Sequence, residues 1–106
     1  MALKKSVDVG DQRLIILLLR YGADINYSDE MNSPVIFRAI INENRDVLHV
    51  LLQCLVDIEK ANNEGDSPLL FAIRVGNNNI IMDLLEAGQW VYISLLKYLL
   101  LLILNL

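Results

Sequence analysis

The chain is similar to itself at a spacing of 33 residues, and this internal repeat constrains the fold more than any other feature of the sequence. At this shift Leu18–Leu19 aligns with Leu51–Leu52 and then with Leu84–Leu85. Ala39–Ile40 aligns with Ala72–Ile73 in the same register. A constant period of this length is typical of repeat proteins, in which each period is one small unit that stacks on its neighbours. The sequence therefore predicts a solenoid of about three units.

Each period is predicted to begin with a short first helix. Ser67 is a good N-cap and the proline that follows suits the first helical position, so a helix is predicted over Pro68–Val75. Ser33–Pro34 is predicted to open the corresponding helix one period earlier, although it lies one residue out of register. Gly76 is predicted to end the helix, and Gly10 to end its counterpart in the first period.

A second helix is predicted to follow, from about Asn78 to Ala87, because asparagine caps well and the apolar residues form a single stripe. The stripe consists of Ile80, Ile81, Leu84 and Leu85. We expect Gly22 and Gly88 to end second helices in the left-handed conformation. The polar residues 62–66 are predicted to form a turn between one unit and the next.

Two motifs within this repeat resemble those of a known family. The segment from Gly65 to Ile73, Gly-Asp-Ser-Pro-Leu-Leu-Phe-Ala-Ile, resembles the ankyrin signature G-x-T-P-L-H-x-A-A. The segment from Leu18 to Asn26 resembles the closing motif L-L-x-x-G-A-D-V-N, and 33 residues is the ankyrin period. The resemblance covers residues 2–88, as repeats of about 1–32, 33–65 and a partial 66–88. It implies an all-α solenoid of stacked helix-turn-helix units with short hairpin loops, acting as a non-catalytic scaffold or adaptor for a protein partner.

The middle repeat and the last repeat depart from the family pattern. Phe37 and Leu70 stand where the family has a histidine that ties neighbouring repeats by hydrogen bonds, so we expect apolar contacts to replace it. Glu43 and Leu55 replace glycines between the helices and in the loop. A left-handed residue other than glycine costs roughly 1 kcal/mol, so the sequence predicts strain or local rearrangement at both positions.

Residues 89–106 lose the repeat register and form a separate apolar helix or tail, with hydrophobic residues on every helical face from residue 90 onward. Such a helix must be buried or embedded in lipid. Three interpretations stay open: a cap over the end of the stack, a membrane anchor, or coding sequence that is truncated or misread. As an anchor, seventeen residues would span about 25 Å, at the short limit for a bilayer. Lys97 would then cost about 2.5–3.5 kcal/mol.

Composition narrows the classes of function and location. All thirteen acidic residues and eight of the nine basic residues precede Gly88, which leaves a net charge of −5 and no basic patch over that region. Nucleic-acid binding is therefore not expected. A single cysteine, Cys54, indicates a reducing intracellular compartment such as the cytoplasm, with membrane association only through the tail. Residues 1–5 lack an apolar stretch, so we expect no secretory signal.

The sequence predicts no catalytic residue, metal or cofactor. His49 and Cys54 lie five residues apart on one predicted helix, about 140° apart around its axis, and no second histidine could complete a zinc site. We interpret His49 as a surface residue and Cys54 as structural. Asp24 and Asp57 repeat one period apart, and the resemblance implies a structural role, whereas a catalytic pair would need a shared cleft.

The resemblance implies a partner-binding surface made of hairpin tips and one position of the first helices. The tips are residues 27–31 and 60–64, and the helix position is Lys5, Arg38 and Phe71. The candidate binding residues are Tyr27, Asp29, Met31, Arg38, Lys60, Asn62, Glu64 and Phe71. Aromatic, methionine and arginine side chains are enriched at interfaces, and the acidic tips favour a basic partner. The alternative is that these residues are solvated turns, or in the case of Phe71 a packing contact between repeats.

Overall fold

The computed structural model describes residues 2–104, except for the side chains at positions 90–92 and 94. Over this range the chain forms six helices, and the only extended pairing is one isolated antiparallel bridge between Ser28 and Pro34. The helices are α1 (Ala2–Val9), α2 (Gln12–Arg20), α3 (Val35–Ile41), α4 (Arg45–Gln53), α5 (Pro68–Val75) and α6 (Asn78–Leu104). The predicted all-α fold is confirmed.

The six helices stack as three pairs in two layers. α1 packs with α2, α3 with α4, and α5 with α6, so each pair is one repeat. α1, α3 and α5 lie side by side and form the first-helix layer, while α2, α4 and α6 form the second-helix layer. Each pair covers the apolar side of the next, which confirms the stacking predicted from the 33-residue register.

The second helices all begin in the same way. Asp11, Asn44 and Asn77 precede α2, α4 and α6, and each side chain accepts a hydrogen bond from the backbone N–H three residues later, at 3.0–3.1 Å. This satisfies one of the unpaired N–H groups at each helix start. The start predicted for the helix at Asn78 is therefore confirmed.

The first helices begin in two different ways. Ser67 caps α5, accepting a backbone hydrogen bond at 3.2 Å, and the helix starts at the next residue as predicted. The corresponding prediction for Ser33–Pro34 was wrong, because Pro34 is itself the N-cap, makes no side-chain cap bond, and precedes a helix that starts at Val35. Ser33 still belongs to the hairpin, where its carbonyl accepts the N–H of Asp29 at 3.1 Å.

The glycine predicted to end the last second helix does not end it. Gly22 adopts the left-handed conformation as predicted, with φ of +94°, but Gly88 lies inside α6 and the helix continues to Leu104. The turn motif that follows Gly22 is absent after Gly88, and the helix continues into residues 95–104, which are mostly leucines and favour helix. A glycine within a helix costs only about 1 kcal/mol, so the run of helix-forming residues outweighs it.

The strain predicted in the middle repeat is present at both positions. Glu43 has φ of +53° and Leu55 has φ of +63°, in the region that side chains with a Cβ rarely adopt. The backbone strain at Glu43 is partly offset, because the Glu43 side chain accepts a hydrogen bond from the side-chain amide of Asn77 in the next repeat, at 3.0 Å. Leu55 is 83 % exposed, so burial compensates little for its backbone strain.

Replacing Leu55 by glycine is therefore expected to stabilise the protein by about 0.5–1 kcal/mol, because the strain is released and little apolar contact is lost. Chemical denaturation would measure the gain as a higher midpoint with an unchanged slope. Leu55→Ala is the matched control, since it removes the side chain but keeps the Cβ that causes the strain. An equal gain in both variants would assign the effect to the exposed side chain instead of the backbone.

Burial depends on position in the stack as much as on residue type. Ile40 in the middle repeat is 0 % exposed, whereas Ile73, one period later, is 54 % exposed. Val47 is 0 % exposed, whereas Leu14, one period earlier, is 40 % exposed. Each terminal repeat lacks one neighbour, so the side chains that would face that neighbour remain in solvent.

An aromatic contact connects the middle and last repeats. Phe37, at the position of the family histidine, is 3 % exposed, and its ring meets that of Phe71 edge to face with centroids 5.3 Å apart. Edge-to-face pairs of this kind contribute about 0.5–1.5 kcal/mol beyond the area they bury. The predicted replacement of the histidine hydrogen bonds by apolar contact is confirmed at this junction.

Candidate partner-binding surface

Two hairpin tips project beside the first-helix layer, tip 1 (residues 27–34) and tip 2 (residues 60–67). Asp29 and Asn62 organise them in the same way, because each side-chain oxygen accepts hydrogen bonds from the backbone N–H groups two and four residues later, at 2.9–3.0 Å. Such side-chain to backbone bonds hold a turn in one conformation. The predicted binding residue Asn62 therefore shapes the backbone of its tip.

Tip 1 is fixed against the first helix of the first repeat by an ion pair. The ammonium of Lys4 lies 3.2 Å from a carboxylate oxygen of Asp29, and both side chains are partly buried. Burial raises the pKa of Asp29, but hydrogen bonds from the Ser33 backbone N–H and the Lys4 ammonium together lower it by more. The pKa of Asp29 therefore lies below its ordinary value. The repeat register predicted that Lys5 would belong to the binding surface, but in the structure it is Lys4 that contacts the tip.

Two other predicted binding residues are committed to contacts between repeats. The Nε of Arg38 donates to an Asp8 carboxylate oxygen at 2.9 Å, joining α3 to α1, and this hydrogen bond is the main reason that the pKa of Asp8 is lowered. The Nζ of Lys60 donates to the backbone carbonyl of Asn26 at 2.7 Å. Both side chains are half-buried, so part of each cation is occupied within the stack.

The remaining side chains form a small surface around tip 1. Tyr27, Asp29, Glu30 and Met31, together with Lys4, line a hollow of about 240 Å³. Met31 is 68 % exposed and Glu30 is exposed, whereas Tyr27 and Asp29 are half-buried. The structure thus brings together three candidate binding residues and Glu30 of the predicted tip, and it adds Lys4, which the sequence did not single out. We call these five residues the tip surface.

The other predicted residues lie apart from the tip surface. Glu64 is exposed at the end of tip 2, whereas Phe71 is half-buried against Phe37 within the stack. Of the two interpretations of Phe71, the structure favours packing between repeats. Glu64 is the exposed carboxylate of tip 2 that corresponds to Met31 one period earlier.

Sequence reasoning missed an ion cluster that joins the second helices. Asp83 of α6 accepts two hydrogen bonds from the Arg45 guanidinium, both at 2.9 Å, and lies 3.1 Å from Nε2 of His49. The Arg45 hydrogen bond is the main reason that the pKa of Asp83 lies below its ordinary value. The sequence contained a signal for this cluster, because Asp83 aligns with Val50, which is buried, one period earlier. A carboxylate at a buried, otherwise apolar position indicates a cationic partner.

The residues weighed for chemistry have structural environments. Asp24 and Asp57 each accept the backbone N–H two residues later, at 2.9 and 2.8 Å, which is the turn-forming role implied by the resemblance. His49 is exposed as predicted, and Cys54 is exposed at the end of α4, not buried in the core. Across residues 2–104, no group of three or more metal-ligating side chains could hold a metal ion.

Comparison with known proteins shows the family. A family profile for ankyrin repeats in three copies matches residues 3–94, and the chain belongs to the ankyrin repeat family. An ankyrin repeat protein of Acanthamoeba polyphaga mimivirus is 30 % identical over 74 residues, which is 70 % of this chain and 10 % of that protein. One from Borreliella burgdorferi is 29 % identical over 83 residues, or 78 % of this chain and 37 % of that protein.

The chain thus spans a tenth and just over a third of the two relatives it matches. Ankyrin repeats are generally protein–protein interaction modules and are typically non-catalytic. Among the residues with a described structure, no helix combines the length and the apolar character needed to cross a bilayer.

Proposed function

We propose that this chain is a binding module that uses the tip surface, together with Glu64 of tip 2, to hold a basic segment of a protein partner. The observation that carries the proposal is the exposed, negatively charged rim around the hollow beside Met31. The turns that present this rim are held in place by the side chains of Asp29 and Asn62. A preorganised surface loses less conformational entropy when a partner binds.

The charge balance at this surface supports a basic partner. The cations near the tips are engaged within the stack, as Lys4 with Asp29, Lys60 with a backbone carbonyl, and Arg74 with Asp66 at 3.1 Å. In contrast, Glu30 and Glu64 are exposed and make no ion pair within residues 2–104. Lys4 and Arg74 are paired with carboxylates, whereas Lys60 keeps its charge against a neutral carbonyl. Counted with Asp29, Glu30, Glu64 and Asp66, the tips keep a net negative charge, which would attract and orient a lysine- or arginine-rich segment.

Tyr27 and Met31 supply an apolar contact in a hollow whose other lining residues are charged. Its volume of about 240 Å³ is smaller than the roughly 300–1,000 Å³ of sites that enclose a small molecule, so it suits one inserted side chain. Met31 is unbranched and polarizable and can adapt to different partners. The tip surface therefore favours a segment in which an apolar side chain is flanked by basic ones.

Binding of a fluorescent peptide of alternating lysine and leucine tests this function by anisotropy in low salt. The variant Glu30→Gln/Glu64→Gln is expected to weaken binding about tenfold, since it removes the exposed carboxylate of the rim and that of tip 2, a loss of about 1.4 kcal/mol. The matched control Gln12→Lys/Gln53→Lys makes the same change in net charge at exposed positions of the second-helix layer.

The control variant is expected to bind within about threefold of the wild type. Met31→Ala should also weaken binding, whereas Met82→Ala, which truncates a methionine that is 53 % exposed on α6, should not. Equal losses in the rim and control variants would mean that only net charge matters, and the tip surface would not be the binding site.

A further inference from the structure

The C-terminal half of α6 extends beyond the repeats and is apolar on every described side. From residue 93 to residue 104 its large apolar side chains are 45–77 % exposed. They are Ile93, Leu95, Leu96, Tyr98, Leu99, Leu100, Leu101, Leu102, Ile103 and Leu104. We call this segment the α6 extension.

The exposed area is too large for an ordinary monomer surface. Ten such side chains present on the order of 1,000 Å² of apolar surface, against roughly 300–600 Å² for the largest patch on a typical monomer. The same area is comparable with the roughly 800 Å² that each partner buries in a stable complex. The α6 extension is therefore large enough to form one side of a stable protein interface.

An apolar groove lies next to the base of this extension. It has a volume of about 570 Å³, and its lining includes Ile58, Leu69, Leu84 and Leu85, the carboxylate-bearing Glu59, and Ile93, the first apolar residue of the extension itself. The groove lies on the side of the third repeat against which no further repeat packs in the structure. Leu69 and Leu85 are partly exposed there, whereas Ile36, the equivalent of Leu69 one period earlier, is 0 % exposed.

We propose that two copies of this chain form a symmetric dimer in which the α6 extension of each copy lies in the groove of the other. The two surfaces are both apolar, and their charges are complementary. Lys97 is the only charged residue after position 88, and Glu59 is the carboxylate on the groove. A reciprocal exchange brings each Lys97 near the Glu59 of the other copy and covers the groove together with the side of the extension that faces it.

A second copy accounts for more of these features than a lipid surface does. A bilayer would cover the extension but leave the groove open, and it would place Lys97 in or near hydrocarbon at a cost of a few kcal/mol. A twofold exchange closes after two chains, which avoids the open-ended polymer that a head-to-tail contact would give. The dimer uses none of the five tip-surface residues, so its test is independent of the test of the proposed function.

Sedimentation equilibrium of the whole chain without detergent tests the dimer. The wild type is expected at twice the chain mass of 12.0 kDa in the micromolar range. Lys97→Glu and Glu59→Lys should each raise the dimer Kd about tenfold, because each places like charges together. The double variant Lys97→Glu/Glu59→Lys should return the Kd to within about threefold of the wild type.

Both substituted positions are exposed, so the charge changes should not disturb the fold. Helicity measured by circular dichroism checks that each variant is folded. A wild-type chain that is monomeric at 100 μM would overturn the proposal. So would a mass that keeps growing with concentration, or a chain that binds phosphatidylcholine vesicles and does not dimerise without them. Failure of the double variant to recover would reject the exchanged arrangement.

Discussion

Ile40→Ala is expected to lower the free energy of unfolding by about 3–4 kcal/mol, whereas Ile73→Ala should lower it by less than about 1 kcal/mol. The two isoleucines occupy the same position of successive repeats, on α3 and α5. Ile40 is 0 % exposed between two neighbouring first helices, whereas Ile73 is 54 % exposed on the side of α5 where no further first helix packs in the structure. Truncation leaves a cavity at the first position and only a smaller surface at the second.

Urea denaturation of the two variants would measure this difference, with an unchanged slope indicating that the change lies in stability. A single domain has about 5–15 kcal/mol of stability in total, so Ile40→Ala should leave the fold marginal. The comparison is internally controlled, because residue type, helix and repeat position are the same. Similar losses at both positions would show that burial by a neighbouring repeat does not determine the stability of this stack.

Much of the fold was predictable because its determinants are local and recur at a fixed interval. The helix starts at Pro68 and Asn78 depend on the residue immediately before them, and the strained conformations of Glu43 and Leu55 follow from glycines at the same position in other repeats. Such features need only the repeat register and the conformational preferences of single residues. The stacking of helices then follows from the shared period.

The errors arose where one residue's outcome depends on the segment around it. Gly88 resembles a terminating glycine, but the turn motif that closes a repeat does not follow it, and the leucine-rich residues 95–104 favour a continued helix. Ser33 resembles a cap, but hairpin pairing with Asp29 holds it one residue too early. A motif alone therefore placed these boundaries incorrectly.

The candidate site was harder to predict than the fold, because side-chain pairing depends on distance in space. Arg38 and Lys60 look like free binding residues in the sequence, yet they bond to partners 30 and 34 positions away. Lys4 was not singled out, although the structure places it at the hollow beside Glu30. Which charges remain available to a partner is decided only after the internal pairs have formed.

The ion cluster at Asp83 gives a second large expected effect, and it depends on pH. Asp83→Asn should lower the free energy of unfolding by about 1–2 kcal/mol at pH 7, since a buried carboxylate loses two hydrogen bonds to a cation. This value allows for solvent screening, because the Arg45 side chain is 45 % exposed. The amide has nearly the same size, so the change acts on charge and not on packing.

The direction of the pH dependence follows from the lowered pKa of Asp83. A carboxylate whose pKa is lower in the folded state than in the unfolded state stabilises the fold above the unfolded value, near 3.9, and this stabilisation is lost as the pH falls through the folded value. Asp8 and Asp29 have lowered pKa values and act in the same direction. The wild type should therefore lose stability steadily as the pH falls below about 5.

Urea denaturation of the wild type and of Asp83→Asn between pH 7 and low pH separates the contribution of Asp83 to stability from the contributions of Asp8 and Asp29. The difference in stability should be present at neutral pH and should shrink as the pH falls through the folded-state pKa of Asp83, because the carboxylate is then protonated. Glu30→Gln, at an exposed carboxylate without an ion pair in residues 2–104, should show little difference at any pH. If the Asp83→Asn difference persisted unchanged at low pH, the residue would stabilise the stack through packing, and the charge contact between α4 and α6 would not be the reason that it occupies an apolar position.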